Sequence, residues 1–213
     1  MYSPTQDQCK LSPFLDRDIL VSNVGADLSN VANFLISKEQ YILDNYPFVS
    51  DYGTMLPTNV TTRSSTYNVF HFMNECPDLQ LILDHIKQQY NIYVKNVGFE
   101  EYVKKPGINC WFNILRKGEK IGIHKHSENE RSFVCATLSI QVDETETFYR
   151  KHGEIVKSIP NRNGEFVMFK CDLEHGTTEH TKDSLRVTLG IDIFFDMDSS
   201  KKVPDFHKNL IEV

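Results

Sequence analysis

The stretch LRVTLGIDIFF, residues 185–195, alternates apolar side chains with other types along its whole length. A period of two is typical of a β-strand with one face buried in a core. The apolar face carries Val187, Leu189, Ile191, Ile193 and Phe195. The opposite face carries Arg186, Thr188, Gly190 and Asp192. A guanidinium that faces a protein interior needs an anion, because an unpaired buried charge is costly. We therefore expect Arg186 to bind a ligand carboxylate, helped by the Thr188 hydroxyl.

Three further segments favour β-strands in the second half of the chain: NCWFNILRK (109–117), RSFVCATLSIQV (131–142) and GEFVMFKC (164–171). In the first of them Trp111, Asn113 and Leu115 share one face. The last is entered from the turn sequence NRNG (161–164). Several short strands separated by turn signals predict an all-β sandwich or barrel.

The first half indicates helices that pack outside this sheet. The segment 27–36 has apolar residues at helical spacing, and SKEQ after it fits a capping box with Ser37 as the cap of a second helix that ends before Pro47. The segment 76–90 carries one apolar stripe: Leu79, Ile82, Leu83, Ile86 and Tyr90. The period changes to two at about residue 94. We predict a single domain over residues 1–213, with a helical and mixed elaboration (1–93), a β-rich core (94–198) and a C-terminal tail (199–213).

Composition restricts the function. The 213 residues carry a formal net charge of -6, which argues against partners such as nucleic acid or an anionic membrane surface. The five cysteines are spread out and form no C-x-x-C pair, so the sequence predicts a reducing compartment rather than a disulfide framework. With no secretory signal and no apolar run of membrane-span length, we expect a cytoplasmic protein.

The segment GIHKHSENE, residues 122–130, is the best candidate for metal binding. His124 and His126 are two positions apart, so on a strand their imidazoles point the same way. Such a motif alone is typical of a solvated loop, and a third ligand must come from elsewhere. His175, after the strand at 164–171, is the preferred candidate, with His180 as the alternative. The combination of these histidines with Arg186 predicts a metal site.

The order of these elements resembles that of the Fe(II)- and 2-oxoglutarate-dependent oxygenases. The nearer resemblance is to a branch with an H-x-H motif found in marine bacteria and phages. Its motif appears here as Trp111 to Asn113, Gly118 and His124 to His126, followed by GEFVMFKCDLEHG and LRVTLGID. The resemblance covers roughly residues 95 to 196.

The resemblance implies a mainly β fold with flanking helices, a cupin-like double-stranded β-helix or jelly roll. His124 and His175 would bind Fe(II), and Arg186 with Thr188 would hold the distal carboxylate of the cosubstrate 2-oxoglutarate. Asn113 on the inner face is a further candidate for cosubstrate contact. The implied reaction uses O2, releases succinate and CO2, and usually hydroxylates a substrate, here an unidentified small molecule or peptide.

One departure from the family leaves three alternatives open. Most members have a carboxylate two residues after the first histidine, where this chain has His126. His126 is a third nitrogen ligand, or it stays unbound, or the register shifts so that His126 and Glu128 form the His-x-acid pair. We favour the first, because the shifted register departs from the Trp, Asn and Gly spacing. A neutral third ligand leaves the iron site more positive than usual.

Two other functional classes compete with this interpretation. One is a three-His cupin-type dioxygenase that needs no 2-oxoglutarate, against which Arg186 and Thr188 argue. The other is a non-catalytic jelly-roll module with a structural zinc ion or no metal. Arg63, in a loop rich in hydroxyl groups, is either a ligand for a polar or anionic substrate or an ordinary loop residue. The remaining histidines are interpreted as surface or loop residues: His71, His85, His152 and His207.

Overall fold

A computed structural model describes residues 10–11, 18–48, 54–64, 66–126, 133–197 and 209–212. Two helices lie in the first half of the described chain, α1 (Ser29–Asn45) and α2 (Leu79–Val97). The described strands are β1 (Lys10–Leu11), β2 (Ile19–Asn23), β3 (Gly107–Leu115), β4 (Phe133–Gln141), β5 (Glu146–Lys151), β6 (Glu154–Pro160), β7 (Glu165–Lys170), β8 (Glu174–Thr177), β9 (Arg186–Phe194) and β10 (Ile211–Glu212). Among the described helices, none has the length and apolar character needed to cross a bilayer.

The strands form two antiparallel sheets. The larger sheet has the order β1-β2-β7-β4-β9-β3-β10, and the smaller has the order β6-β5-β8. A cavity lies between them, lined by residues of both sheets. This architecture is a jelly roll with flanking helices, so the predicted fold class is confirmed.

Strand β9 occupies the middle of the larger sheet, between β3 and β4. In register, Thr188 lies between Asn113 of β3 and Ser139 of β4. The apolar face of β9 is fully buried in the main hydrophobic core. The face that carries Arg186 lines the cavity. Both predicted faces of this strand are therefore confirmed, and they follow from alternation alone.

The two helices contribute to the same core as β9. Every member of the predicted α2 stripe is buried, and so are Val31, Leu35 and Ile42 of α1. Packing of these stripes covers the apolar side of the larger sheet, which leaves its other side for the cavity. The four described cysteines are buried and form no disulfide with one another, namely Cys76, Cys110, Cys135 and Cys171.

Two helix boundaries differ from the sequence prediction. Ser37 caps no second helix, because α1 runs through it and its hydroxyl donates to the Phe34 carbonyl at 2.7 Å. The apolar stripe of α1 continues to Ile42, and burial of that stripe outweighs a local capping signal. Helix α2 runs past residue 94 to Val97, because Tyr93 and Val94 extend its buried stripe. It ends at Gly98, whose φ of 74° suits glycine.

Arg63 is buried and hydrogen-bonded within the protein rather than exposed at the surface. The Arg63 guanidinium is 6% exposed and donates to the carbonyls of Ile42 and Leu43, at 3.1 Å each, and to that of Tyr46. It therefore satisfies the last carbonyl groups of α1, and of the two interpretations of Arg63 the structure favours the structural one.

The interpretation of the remaining histidines is wrong for one of them. His85 on α2 is partly buried, 3.0 Å from the Ser22 hydroxyl, and burial lowers its pKa to about 4. The side chain is partly buried because position 85 lies beside the apolar stripe of α2, where it reaches Ser22 of β2. His71 and His152 are exposed as expected, and His207 lies outside the described residues.

We predict that Arg63→Ala destabilises the fold by about 3 kcal/mol, because several backbone carbonyls lose a charged donor. Chemical denaturation measures this loss, and Arg162→Ala is the matched control because Arg162 is exposed. Equal stability of the two variants would contradict the capping role.

Candidate metal centre and ligand cavity

The three predicted histidines converge at one edge of the cavity. The side-chain ligand atoms of His124, His126 and His175 lie within 4.8 Å of one another. Backbone pairing brings the distant segments together. His124 and His175 form an antiparallel bridge with two hydrogen bonds, of 3.0 Å and 2.9 Å. The His126 amide donates to the Cys171 carbonyl at 3.0 Å. The arrangement predicted from H-x-H and His175 is therefore present.

Hydrogen bonds orient all three rings in the same way. Nδ1 of His124 lies 2.9 Å from the Gly122 carbonyl, and Nδ1 of His175 lies 3.1 Å from the Leu173 carbonyl. Nδ1 of His126 lies 2.7 Å from Oδ1 of Asp192. Each partner is an acceptor, so each Nδ1 carries the hydrogen and each Nε2 is left with a lone pair.

The Nε2 atoms of His124 and His126 are 3.3 Å apart. Two lone pairs that face each other at this distance repel unless a proton or a cation lies between them. Nitrogen ligands about 2.1 Å from one metal ion, in adjacent coordination positions, are about 3 Å apart. The donor set therefore fits a transition metal ion, and imidazole suits iron as well as zinc or copper.

His175 is held in its neutral form by its surroundings. It is 5% exposed, and burial, followed by the nearby His124 and His126, lowers its pKa well below the usual 6.5. The Phe169 ring stands edge-on with its centroid 4.6 Å away. A neutral, fixed imidazole is the form that binds a metal ion.

Trp111 of β3 packs beside the histidine cluster. Its ring centroid is 5.9 Å from that of His126, and it lies across Gly190 of β9. A Cβ at position 190 would come within 2.5 Å of the Trp111 ring. Gly190 is therefore required by close packing, and Trp111 is a wall residue, as its sequence position suggested.

Arg186 lies in the same cavity, which has a volume of about 550 Å³. It is 3% exposed, and burial lowers its pKa to about 10. Its Nε and Nη1 have no hydrogen-bond partner among the described residues. Within the same part of the chain it forms no ion pair, so the pairing with Asp192 or Glu179 that could have made it structural is absent. A buried, unpaired guanidinium facing a cavity is a site for an anion.

Thr188 and Asn113 stand beside Arg186 in a short chain of hydrogen bonds. The Thr62 hydroxyl donates to Oδ1 of Asn113 at 2.7 Å, and Nδ2 of Asn113 donates to the Thr188 hydroxyl at 3.3 Å. The Thr188 oxygen is thus used as an acceptor, and its own hydrogen is available to a ligand. The three residues predicted for cosubstrate contact line one cavity with the histidines.

Two alternatives for the third ligand have different outcomes. His180 is buried, with Nε2 2.6 Å from the Ser184 carbonyl, and it is not a member of the histidine cluster found among the described residues. Glu128, the acid of the shifted register, lies outside the described residues.

Sequence reasoning missed the roles of Asp192 and Thr62. Asp192 lies on the cavity face of β9 with Arg186. The even spacing of the two residues along the strand was the feature of the sequence that could have predicted this. Thr62 carried no signal that distinguishes it from its neighbours in a Thr-rich loop.

Comparisons with known proteins agree on the fold. No protein-family model matches the sequence, and no curated protein matches it. A prolyl hydroxylase from Trichoplax adhaerens, solved with a hypoxia inducible factor peptide, has a TM-score of 0.59 at 10% identity, over 88% of this chain and 87% of that chain. A Pseudomonas putida prolyl-4-hydroxylase has a TM-score of 0.52 at 10% identity, over 83% and 92%. The α-ketoglutarate-dependent carbocyclase SnoK from nogalamycin biosynthesis has a TM-score of 0.51 at 12% identity, over 85% and 81%.

We predict that His124→Ala and His175→Ala each weaken Fe(II) or Co(II) binding at least about 100-fold, because each removes one of three convergent ligands. Anaerobic titration measures the affinity. His152→Ala, at an exposed position, is the control and retains wild-type affinity. Wild-type affinity in both ligand variants would exclude this centre.

Proposed function

We propose that the protein is a non-haem Fe(II)- and 2-oxoglutarate-dependent dioxygenase. It oxidises a C–H bond of a small-molecule or peptide substrate, most simply by hydroxylation, and releases succinate and CO2. The observation that carries the proposal is the buried guanidinium of Arg186, without a partner among the described residues, in the cavity that contains the three histidines.

The cosubstrate site follows from the donors that face the cavity. The Arg186 fork binds the distal carboxylate of 2-oxoglutarate through two parallel hydrogen bonds. The Thr188 hydroxyl donates to the same carboxylate, because Asn113 already occupies its acceptor side. Asn113 is itself fixed by Thr62, so the pair is oriented before the ligand arrives. Preorganised donors reduce the cost of ordering the ligand.

The metal site follows from the three Nε2 atoms. His124, His126 and His175 would hold Fe(II) and leave coordination positions on the cavity side. When bound, iron with 2-oxoglutarate supplies the activation of O2. The chain supplies orientation and shelter, because Trp111 and Phe169 line the cavity beside the rings and keep bulk water from them.

The structural neighbours support this chemistry. Two are prolyl hydroxylases by name, and the third is an α-ketoglutarate-dependent carbocyclase. At 10–12% identity they share the fold with this chain, and their substrates are not transferred to it. The H-x-H branch of marine bacteria and phages stays a prediction, as does a cytoplasmic location.

The competing classes explain less of the cavity. A three-His dioxygenase without 2-oxoglutarate leaves the Arg186 charge uncompensated in the interior, which is unfavourable. A structural zinc site is closed by four protein ligands. The cluster formed by the described residues offers three histidines and faces a cavity of about 550 Å³.

We predict that Fe(II) and 2-oxoglutarate together, without O2, give a weak visible charge-transfer band that neither gives alone. Arg186→Ala should weaken 2-oxoglutarate binding roughly 100-fold, because truncating one partner of a buried charge pair costs 2–5 kcal/mol. Fe(II) affinity should stay within about threefold, since distant sites contribute nearly independently. Anaerobic titration followed by absorbance gives both constants.

Arg186→Lys is the matched control because it keeps the charge but loses the fork, and it should fall between the wild type and Arg186→Ala. Equal loss of both affinities in Arg186→Ala would assign the arginine a structural role. If no band forms with metal-loaded wild-type protein, the 2-oxoglutarate proposal is wrong. Succinate formation across pools of amino acids, peptides and metabolites then identifies the substrate class.

A further inference from the structure

A buried carboxylate stands directly behind the candidate metal centre. Asp192 is 7% exposed and lies in register between Asn109 of β3 and Cys135 of β4. Its Oδ1 is 2.7 Å from Nδ1 of His126. In the described part of the chain, His126 is the one basic residue that pairs with it. Asp192 therefore has no Lys or Arg there to compensate its charge.

The three histidines differ in what holds them. Behind His124 and His175 stand neutral backbone carbonyls, those of Gly122 and Leu173. Behind His126 stands a carboxylate. A carboxylate bonded to Nδ1–H fixes the ring and makes Nε2 a more electron-rich ligand. His126 is also the position at which most of the oxygenases that this sequence resembles carry an acidic ligand.

We propose that Asp192 is a positioning residue that supplies, through the His126 ring, the negative charge that an acidic ligand would bring directly. This inference rests on the proposed function, because it requires that the three histidines bind a metal ion. Asp192 aims Nε2 of His126 at the point where it faces Nε2 of His124, 3.3 Å away. The site thus keeps a carboxylate, one imidazole further from the metal.

The presence of a buried carboxylate at position 192 is explained better by metal binding than by a contribution to the stability of the fold. A buried carboxylate without a cation is unfavourable, and it becomes favourable when a cation enters nearby. The metal-free fold should therefore lose nothing when an amide replaces the carboxylate. The Cys135 sulfur also lies within 4.8 Å of ligand atoms of Asp192 and His126. The hydrogen-bonding distance between His126 and Asp192 favours direct contact over a metal ion between them.

Two substitutions separate charge from orientation. Asp192→Asn keeps an oxygen that accepts from His126 Nδ1 but removes the charge, and Asp192→Ala removes both. We expect Fe(II) or Co(II) affinity to fall about 10-fold in the first and about 100-fold in the second, the range measured for residues behind metal ligands. Asp183→Asn, which replaces an exposed carboxylate, is the matched control and keeps wild-type affinity. Anaerobic titration calorimetry gives these values without turnover.

Spectroscopy and unfolding test whether Asp192 acts through His126. In Asp192→Asn, the Fe(II)–2-oxoglutarate band should move to shorter wavelength, because a poorer imidazole donor lowers the energy of the metal electrons. Metal-free Asp192→Asn should unfold at the wild-type temperature or above, and added metal should raise that temperature less than in the wild type. In a His126→Ala background, Asp192→Asn should change metal affinity no further.

The outcomes distinguish this inference from the function on which it rests. Failure of the wild-type protein to bind metal would overturn both. Metal and 2-oxoglutarate binding by the wild type, with the same affinity and band in Asp192→Asn, would overturn the role of Asp192 alone. Loss of the metal-free fold in Asp192→Asn would show that the carboxylate is structural, and it would also overturn the role proposed here.

Discussion

The backbone bridge between His124 and His175 is the contact on which the site depends. His175 belongs to β8 of the smaller sheet, and the segment that contains His124 pairs with this strand through His124 with His175 and Ile121 with Thr177. Two residues further on, the His126 amide bonds to the carbonyl of Cys171, which directly follows β7 of the larger sheet. The same segment reaches the larger sheet through the bond from His126 to Asp192. This short segment thus connects the two sheets, and it carries two of the three clustered histidines. The contacts that join the two sheets here are therefore the contacts that bring the candidate metal ligands together.

The cavity face of β9 holds two opposite charges that cannot neutralise each other. Arg186 and Asp192 are six residues apart on one strand, and at about 3.3 Å per residue their backbones are about 20 Å apart. Neither has a described partner of fixed opposite charge, since His126 is charged only when protonated. Burial of such charges does not stabilise a fold by itself. Their placement becomes favourable when an anion meets the arginine and a cation enters beside the aspartate. This pattern is consistent with the proposal that the cavity face of β9 serves an anion at one end and a metal ion at the other.

Alternation and helical stripes were enough to predict a sandwich or barrel of β-strands with helices outside it, because burial fixes which face of each strand and helix is apolar. They also placed Arg186, Thr188 and Asn113 on the inner side. The jelly roll itself was implied by the resemblance to the oxygenases. The histidine cluster could be predicted because two of its members share a strand-like segment. The bond from His126 to Asp192 could not, because sheet pairing and not spacing determines it. Ser37 was misleading because packing of α1 overrides the local capping signal. The sequence left two interpretations of Arg63 open, because its partners are carbonyl groups of a helix end about 20 residues away.

The loop at 54–64 connects the stability of α1 to the shape of the cavity. Arg63 points back to the carbonyl end of α1, while its neighbours Thr62 and Ser64 line the cavity. Because Thr62 and Ser64 are the chain neighbours of Arg63, fixing Arg63 also restrains these two wall residues. The loop is joined to β3 as well, since the Ile114 amide donates to the Thr61 hydroxyl and the Asn109 side chain donates to the Ser64 carbonyl. This loop is therefore held from two directions, by α1 and by β3, and Thr62 can orient Asn113 because the end of α1 holds the residue beside it. The shape of the cavity therefore depends on the first half of the sequence, through a helix cap, Arg63, that does not itself line the cavity.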